Sequence, residues 1–301
     1  ACVTRNESHM GLVNHTVITH FILVGLSYPP ELRVPLFLFF LLIYLLTLCG
    51  NLLILLAVAR ERRLHKPMYW FLCHLSFLDM TVSSVVVPKV MAGFLSGGGA
   101  ISFHGCVAQL FFFHFLGCTE CFLYTVMAYD RFLAICKPLR YSVIMNRRAC
   151  LCLAAGTWLG GSLHSLIETA LTFRLPYGRD TQVGYIFCDI PAVLKLACGD
   201  TALNELVTFI VSAILRIRSA EGRRRAFSTC VAHITVVVTY YVPLVFIYLR
   251  PGSQHPVDRV VGVFYTTVTP LLNPLIYTLR NKEMKAALMR LGGRKPPGPE
   301  P

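Results

Sequence analysis

Six stretches of the chain are apolar for long enough to cross a bilayer: Pro35–Ala59, Met68–Val87, Val107–Met127, Leu151–Leu171, Ala226–Leu249 and Val260–Leu279. A helix traversing about 30 Å of hydrocarbon needs about 20 mostly apolar residues, and each stretch meets that length with few polar side chains inside it. Those few include Asn51 in the first, His74 and Asp79 in the second, His114 and Glu120 in the third, and His164 and Glu168 in the fourth. A seventh candidate, between Asp200 and Arg218, is deficient. Only Leu206–Leu215 is free of charge between Glu205 and Arg216. At 1.5 Å per residue it covers about 15 Å, half the hydrocarbon.

Charge decides what the short segment must do. Basic residues cluster at Arg60, Arg62, Arg63 and Lys66, and again at Lys137, Arg140, Arg147 and Arg148. They recur at Arg216, Arg218 and Arg223–Arg225, and at Arg280, Lys282, Lys285, Arg290, Arg294 and Lys295. If every segment crosses, the short one included, these nineteen of the 28 Lys and Arg residues fall on one side. The positive-inside rule makes that side the cytosol and puts the amino terminus outside. Were the short segment not to cross, the groups before and after it would lie on opposite faces. The pattern therefore predicts an all-α bundle of seven spanning helices, the fifth truncated. Residues 1–34 form an extracellular segment, 35–280 the transmembrane domain and 281–301 a cytoplasmic tail. In that tail Lys282–Leu291 reads as a short amphipathic helix on the inner leaflet.

Composition points the same way. The chain is 55% hydrophobic and 14% charged, where a soluble domain carries roughly 25% charged residues, and its mean hydropathy is +0.61. A net charge of +13 would suit a nucleic-acid partner, but its one-sided distribution is topological, so the expected partner is the bilayer. Most of the twelve cysteines lie in apolar stretches, where a thiol behaves as a small hydrophobe. Two acceptor sequons, Asn6-Glu7-Ser8 and Asn14-His15-Thr16, precede the first span. No cleavable signal peptide is expected before that span. Met10 offers a natural start, which would leave Asn14 as the working sequon.

Four stretches carry a resemblance to a known family: LHKPMYWFLCHLSFLDM (64–80), MAYDRFLAICKPLRYSVIM (127–145), RRRAFSTCVAH (223–233) and PLLNPLIYTLRNKEMKAAL (270–288). With Gly50-Asn51 and YIFCDIPAVLKLAC (185–198), they resemble, in order and at the expected helix ends, the odorant receptors among the rhodopsin-like G-protein-coupled receptors. The resemblance implies a small volatile odorant bound within the bundle, coupling to a heterotrimeric G protein of the olfactory stimulatory type, and residence in the plasma membrane. It implies no enzyme activity and no cofactor beyond a bound sodium ion.

Each implied site has a plainer reading beside it. Asp130-Arg131 stands where the third span meets the cytosol; an arginine there snorkels in any membrane protein, whereas the resemblance makes it pair with Asp130 at rest and meet the G protein when released. Phe132 departs from the family's usual tyrosine. Asp79 and Glu120 lie deep in two spans, where an unpaired charge is costly; either they are neutral and hydrogen-bonded, or they share the sodium ion. Asn273 and Pro274, with Tyr277, break the seventh helix because proline removes a donor and clashes one turn back. That break is a passive kink or, by resemblance, an activation switch. His114, Gly117, Cys118 and Cys121 follow i, i+3, i+4, i+7 spacing and share one helix face. Helix packing accounts for such a face, Gly117 especially. The resemblance places His114, Gly117 and Cys118 at the odorant cradle with Tyr241, Leu244, Tyr248 and Thr266. The family also joins the positions of Cys106 and Cys188 by a disulfide. Its second bridge, inside the same loop, would need a cysteine near Gly178, so Cys198 is expected to be free.

A transporter or channel would also carry intramembrane acids and histidines, yet no internal repeat of the transporter kind is present. No HExxH, GxSxG or P-loop pattern suggests an enzyme. A further reading keeps the family and denies the activity. NELVTFIVSAILRIRSAEGRRRAF runs from the outer start of the fifth helix straight into the inner loop. Against the family pattern about five turns are missing, so the alternative to a working receptor is a signalling-incompetent deletion form of one.

Overall fold

The computed structural model describes residues 18–24, 28–96, 99–178, 180–199, 201, 202, 204, 262 and 264–293. The short fifth span, the sixth span with Tyr241, Leu244 and Tyr248, and the sequon at Asn14 lie outside the described residues.

Among the described residues four helices are long and apolar enough to cross a membrane: α1 (Arg33–Arg60), α2 (Pro67–Ser96), α3 (Phe103–Cys136) and α5 (Arg147–Phe173). Between α3 and α5 lies a short helix, α4 (Pro138–Ile144), which hydrophobic periodicity did not reveal. The described chain continues with α6 (Ile190–Leu194), a wide turn of π-helix at Phe264–Val268, α7 (Thr269–Arg280) and α8 (Lys282–Leu291). The expected amphipathic tail helix therefore occurs at its expected limits.

The helices are inside-out relative to a soluble bundle. Leu38, Phe39, Leu42, Leu45 and Leu46 of α1 and Leu151, Leu159, Leu163 and Leu166 of α5 are exposed, while Asn51, Asp79, Ser83, Glu120 and Asp130 are buried. With lipid as solvent an exposed leucine costs nothing, and a polar group gains only by facing another polar group inside. The helix starts are capped by side chains that the sequence supplies. Ser102 Oγ accepts from Gly105 N at 3.1 Å, Asn146 Oδ1 from Ala149 N at 3.0 Å, and Asn281 Oδ1 from Glu283 N and Met284 N, both at 3.1 Å. Each satisfies an otherwise unpaired first-turn donor.

Two boundaries differ from expectation. α2 does not stop at Val87 but passes through Pro88 to Ser96; a proline inside a membrane helix is tolerated where neighbouring groups re-satisfy the freed backbone. α3 extends beyond Met127 by more than two turns, carrying Asp130 and Arg131 within the helix. α3 and α5 approach closely at Gly161, where a side-chain carbon would meet Thr119 Oγ1 and, at 2.9 Å, the carbonyl of Phe115.

The outer ends are crossed by a small sheet. β1 (His20–Leu23) sits in its centre, antiparallel to β2 (Ala100–Ser102) and parallel to β3 (Gln182–Val183). Phe21 is fully buried beneath it, its ring 6.0 Å from those of Phe103 and Tyr177. The segment before α1 is thus partly folded, which its four-residue strand did not announce.

Candidate functional site

Polar side chains gather at three levels of the bundle. The outermost lies where α3 passes under the loop that follows α5. Cys106 at the start of α3 is bonded to Cys188, Cα–Cα 5.5 Å, as the resemblance implied. Three residues on, Gln109 Nε2 donates to the Val85 carbonyl at 3.1 Å, and its Oε1 accepts from Cys188 N at 2.9 Å. One turn further, His114 Nε2 lies 3.2 Å from Asp189 Oδ1, both side chains buried. Asp189 Oδ1 also accepts from Ile190 N at 2.9 Å, capping α6. The loop is therefore seated on α3 by a disulfide, an amide and an acid–imidazole contact.

Cys118 is buried one turn below His114, and Gly117 beside it is half-buried. His164 and the fully buried Glu168 of α5 stand within electrostatic reach of His114 and Cys118 respectively. Thr266 is buried in the wide turn before α7, its hydroxyl donating to the Gly262 carbonyl at 2.8 Å. Asp189, Gln109, His164 and Glu168 were not among the expected cradle residues. The signal was present for Asp189, which follows the bridging Cys188 directly and must be carried wherever that cysteine goes.

At mid-depth a single network joins α2, α3 and α7. Asn273 Nδ2 donates to Asp79 Oδ1 at 2.9 Å and Oδ2 at 3.0 Å, and approaches the Tyr124 hydroxyl at 3.0 Å. That hydroxyl donates to Glu120 Oε1 at 2.7 Å. The two expected acids are thus linked through an amide and a phenol. Ser83, one turn beyond Asp79 and buried, has a hydroxyl without a hydrogen-bond partner among the described residues. This all-oxygen donor set suits a hard cation such as sodium. No group of three or more His, Cys, Asp and Glu side chains is arranged for a metal among the described residues. Beside the network, Asn51 Nδ2 reaches the Pro270 carbonyl at 3.2 Å. The Pro274 ring rests on Gly50, where an added side-chain carbon would stand 3.3 Å from it. Gly50-Asn51 therefore seats α7, which runs unbroken through Pro274, against α1. Tyr277 belongs to α7, with its side chain outside the described residues.

Near the end of α3 remote from Cys106, Arg131 Nη2 stands 3.1 Å from Asp130 Oδ2. The Tyr141 hydroxyl, from α4, donates to Asp130 Oδ1 at 2.7 Å. Asp130 is fully buried, so the tyrosine and the arginine together compensate its charge. Burial and the facing carboxylate push the Tyr141 phenol well above its ordinary range. The tyrosine therefore acts as a fixed hydrogen-bond donor. Nearby, Lys66 Nζ contacts Glu283 at 2.7 and 2.9 Å, Tyr69 donates to the same carboxylate at 2.8 Å, and Arg290 pairs with Glu61 at 2.7 Å. These contacts pin α8 to the loop between α1 and α2.

One earlier expectation is overturned. Cys198 is not free; it is disulfide-bonded. The facing strand at Pro176–Gly178 indeed offers no thiol, with Cys198 N donating to the Pro176 carbonyl at 2.7 Å, so its partner lies elsewhere in the chain.

Comparison with known proteins bears directly on this arrangement. A family model described as olfactory receptor matches residues 40–213 and 206–295. Human olfactory receptor 10G6 is 64% identical over 310 aligned residues, covering 96% of this chain and 93% of its own length. Human olfactory receptors 10G2 and 10G3 are 59% and 55% identical, covering 91% and 94% of this chain and 96% and 97% of their own lengths. The buried acid network, the arginine–aspartate pair at the inner end of α3 and the loop bridged to its outer end are thus features of a seven-helix membrane protein that belongs to the olfactory receptor family.

Proposed function

We propose that the chain is built to bind a small volatile molecule between the outer halves of its helices and to pass that event to a stimulatory G protein that raises cyclic AMP. The observation that carries this reading is the pairing of a polar cradle with a compensated arginine on one continuous helix. His114, Gly117 and Cys118 stand in the first half of α3, with Asp189 above them, and Asp130 and Arg131 in its last two turns. Tyr241, Leu244, Tyr248 and Thr266 complete the cradle in this reading. Seventeen residues separate His114 from Arg131, about 25 Å of helix, so occupancy must be transmitted by helix movement.

In the resting state Arg131 is held by Asp130, and Asp130 by Tyr141. Asn273, Pro274 and Tyr277 bend α7 across the buried network, and movement of α7 releases it. A sodium ion would be held by Asp79 and Glu120 with Ser83, neutralising carboxylates that otherwise face each other. The amino terminus is extracellular and glycosylated at Asn14, the carboxyl terminus is cytosolic, and the working location is the plasma membrane.

A second reading concerns activity rather than family: the chain as written is an internal-deletion form. In keeping with this, the family model matches in two stretches that meet at residues 206–213, inside the short span. The alignment with olfactory receptor 10G6 is 310 positions long while covering 96% of only 301 residues, which requires gaps on this side. The test inserts about 20 apolar residues after Phe209, the length of a full span. Surface staining and cyclic-AMP output are then compared between the two forms across an odorant panel. Responses in the lengthened form, lost on Arg131→Ala without loss of surface staining, support the coupling reading. Equal trafficking and signalling by the unmodified chain would overturn the deletion reading.

A further inference from the structure

The loop after α5 is packed as closely as a helix interior: every residue from Tyr185 to Ile190 is buried. One edge of this segment is fixed on α3. Cys188 is bonded to Cys106, its N–H donates to Gln109 Oε1, and Asp189 meets His114. The Phe187 ring stands 4.7 Å from that of Phe113. Cys118 lies beneath, buried, about 18 Å further along α3 than Cys106.

The opposite edge is Tyr185. Its ring meets that of Phe187 edge to face at 5.2 Å, and its phenol lies against Gly262, upstream of α7. The fit depends on the glycine. An added side-chain carbon there would overlap the phenol oxygen and Cζ and stand 2.8 Å from Cε1. This edge has neither the disulfide nor the acid–imidazole contact of the other.

Gly262 sits just before the wide turn Phe264–Val268, and that turn has a local cause. Pro270, at the start of α7, has no N–H to give one turn back, at Thr266. A π turn accommodates the missing donor by taking one extra residue. Within it the Thr266 hydroxyl donates to the Gly262 carbonyl at 2.8 Å, which ties the glycine to the turn. Passing the extra residue out of the turn rotates everything upstream by about 100°, the angle of one α-helical residue. Gly262 then leaves the phenol.

We propose that Tyr185 and Gly262 form the releasable edge of a lid over His114 and Cys118, and that the wide turn before α7 sets whether the lid is shut. With the phenol seated, the segment covers the cradle. With Gly262 rotated away, Tyr185–Ile190 swings on the Cys106–Cys188 bond. The lid deepens the ligand-binding reading above and rests on it for what passes beneath. Closure itself is measured without ligand or G protein, so its failure leaves that reading standing.

The test uses the full chain in lipid nanodiscs and a charged methanethiosulfonate, with peptide mass spectrometry following Cys118 and the exposed Cys136 separately. In the unmodified chain Cys118 should react about tenfold or more slowly than Cys136, because access limits a buried thiol. Gly262→Ala should raise the Cys118 rate about tenfold and leave Cys136 unchanged, as expected of a local opening. Tyr185→Val, which only removes bulk, should do the same. The double substitution should be no faster than either, since both break one contact. Pro270→Ala, which returns the missing N–H, should open the lid without touching it. Fast labelling of Cys118 in the unmodified chain, unchanged rates in both single variants, rates that multiply in the double, or a parallel rise at Cys136 would each overturn the lid. An unchanged rate in Pro270→Ala would overturn its coupling to α7.

Discussion

The Tyr141 hydroxyl donates to a fully buried carboxylate that also faces Arg131, so removing it leaves one acceptor of Asp130 unsatisfied. A hydrogen bond to a charged group contributes about 1.5–3 kcal/mol. In a form that signals, Tyr141→Phe should therefore raise basal cyclic AMP about tenfold or more, measured without odorant at matched surface expression; an unchanged baseline would remove the tyrosine from the resting lock. Gly161 gives a sharper structural test. A side chain there would drive into Thr119 Oγ1 and the Phe115 carbonyl, whereas Gly156 has nothing within 4 Å. In the form with a lengthened fifth span, Gly161→Leu should abolish surface staining, since forced overpacking costs about 1–3 kcal/mol or more, while Gly156→Leu should leave it near that of the parent. At this scale the sequence was legible wherever chemistry and depth coincide, as at Asp79, Glu120 and Asp130. It was silent on Tyr141 in the two-turn α4 and on Asp189 in the loop after α5, segments too short or irregular for a helical period to place a side chain. What pairs them with Asp130 and His114 is the return of those segments onto α3.

For the elements, apolar length and amphipathic pattern were enough to outline α1 and α8 to within a residue or two. The extension of α2 through Pro88 was not legible, because proline reads as a stop unless the surrounding helices are known. Nor were α4 and the sheet, whose short segments draw their stability from partners far along the chain. The docking of α8 carries its own pH dependence. Hydrogen bonds from Lys66 and Tyr69 hold the Glu283 carboxyl below its ordinary value of 4.5. A carboxyl depressed on docking contributes stability that is fully present above the undocked value and lost as pH falls through the docked one. A spin-label distance between α8 and the α1–α2 loop should thus hold at neutral pH and broaden only once pH falls below the carboxyl's ordinary 4.5. Because Lys66 and Glu283 are about half exposed, Lys66→Gln should weaken docking by no more than about 1 kcal/mol. A larger loss would mean that the pair is better shielded than its exposure implies.

At the scale of the molecule, the membrane-spanning helical class was legible because lipid imposes a length rule on every segment at once, and the family was legible in its motif stretches. The ligand was not, since the cradle's identity rests on side-chain shape across several helices. The short fifth span sets the expected behaviour of the whole. Closing about 15 Å of mismatch at fractions of a kcal/mol per Å totals several kcal/mol, comparable to a net stability of about 5–15 kcal/mol. The unmodified chain should accordingly reach the surface poorly, as flow cytometry on intact cells would register; staining equal to that of the lengthened form would contradict this. The sheet over the outer face adds a matter of timing. β1 is synthesised first, yet its parallel partner is Gln182–Val183, beyond four spanning helices. At roughly 5–20 residues per second the stretch from Ile22 to Gln182 takes on the order of 10–30 s to make. For that interval β1 has at most its antiparallel partner β2. On the proposed topology, glycan addition at Asn14 and capture by lumenal chaperones would both have first access to the segment, and the last strand to arrive closes the window.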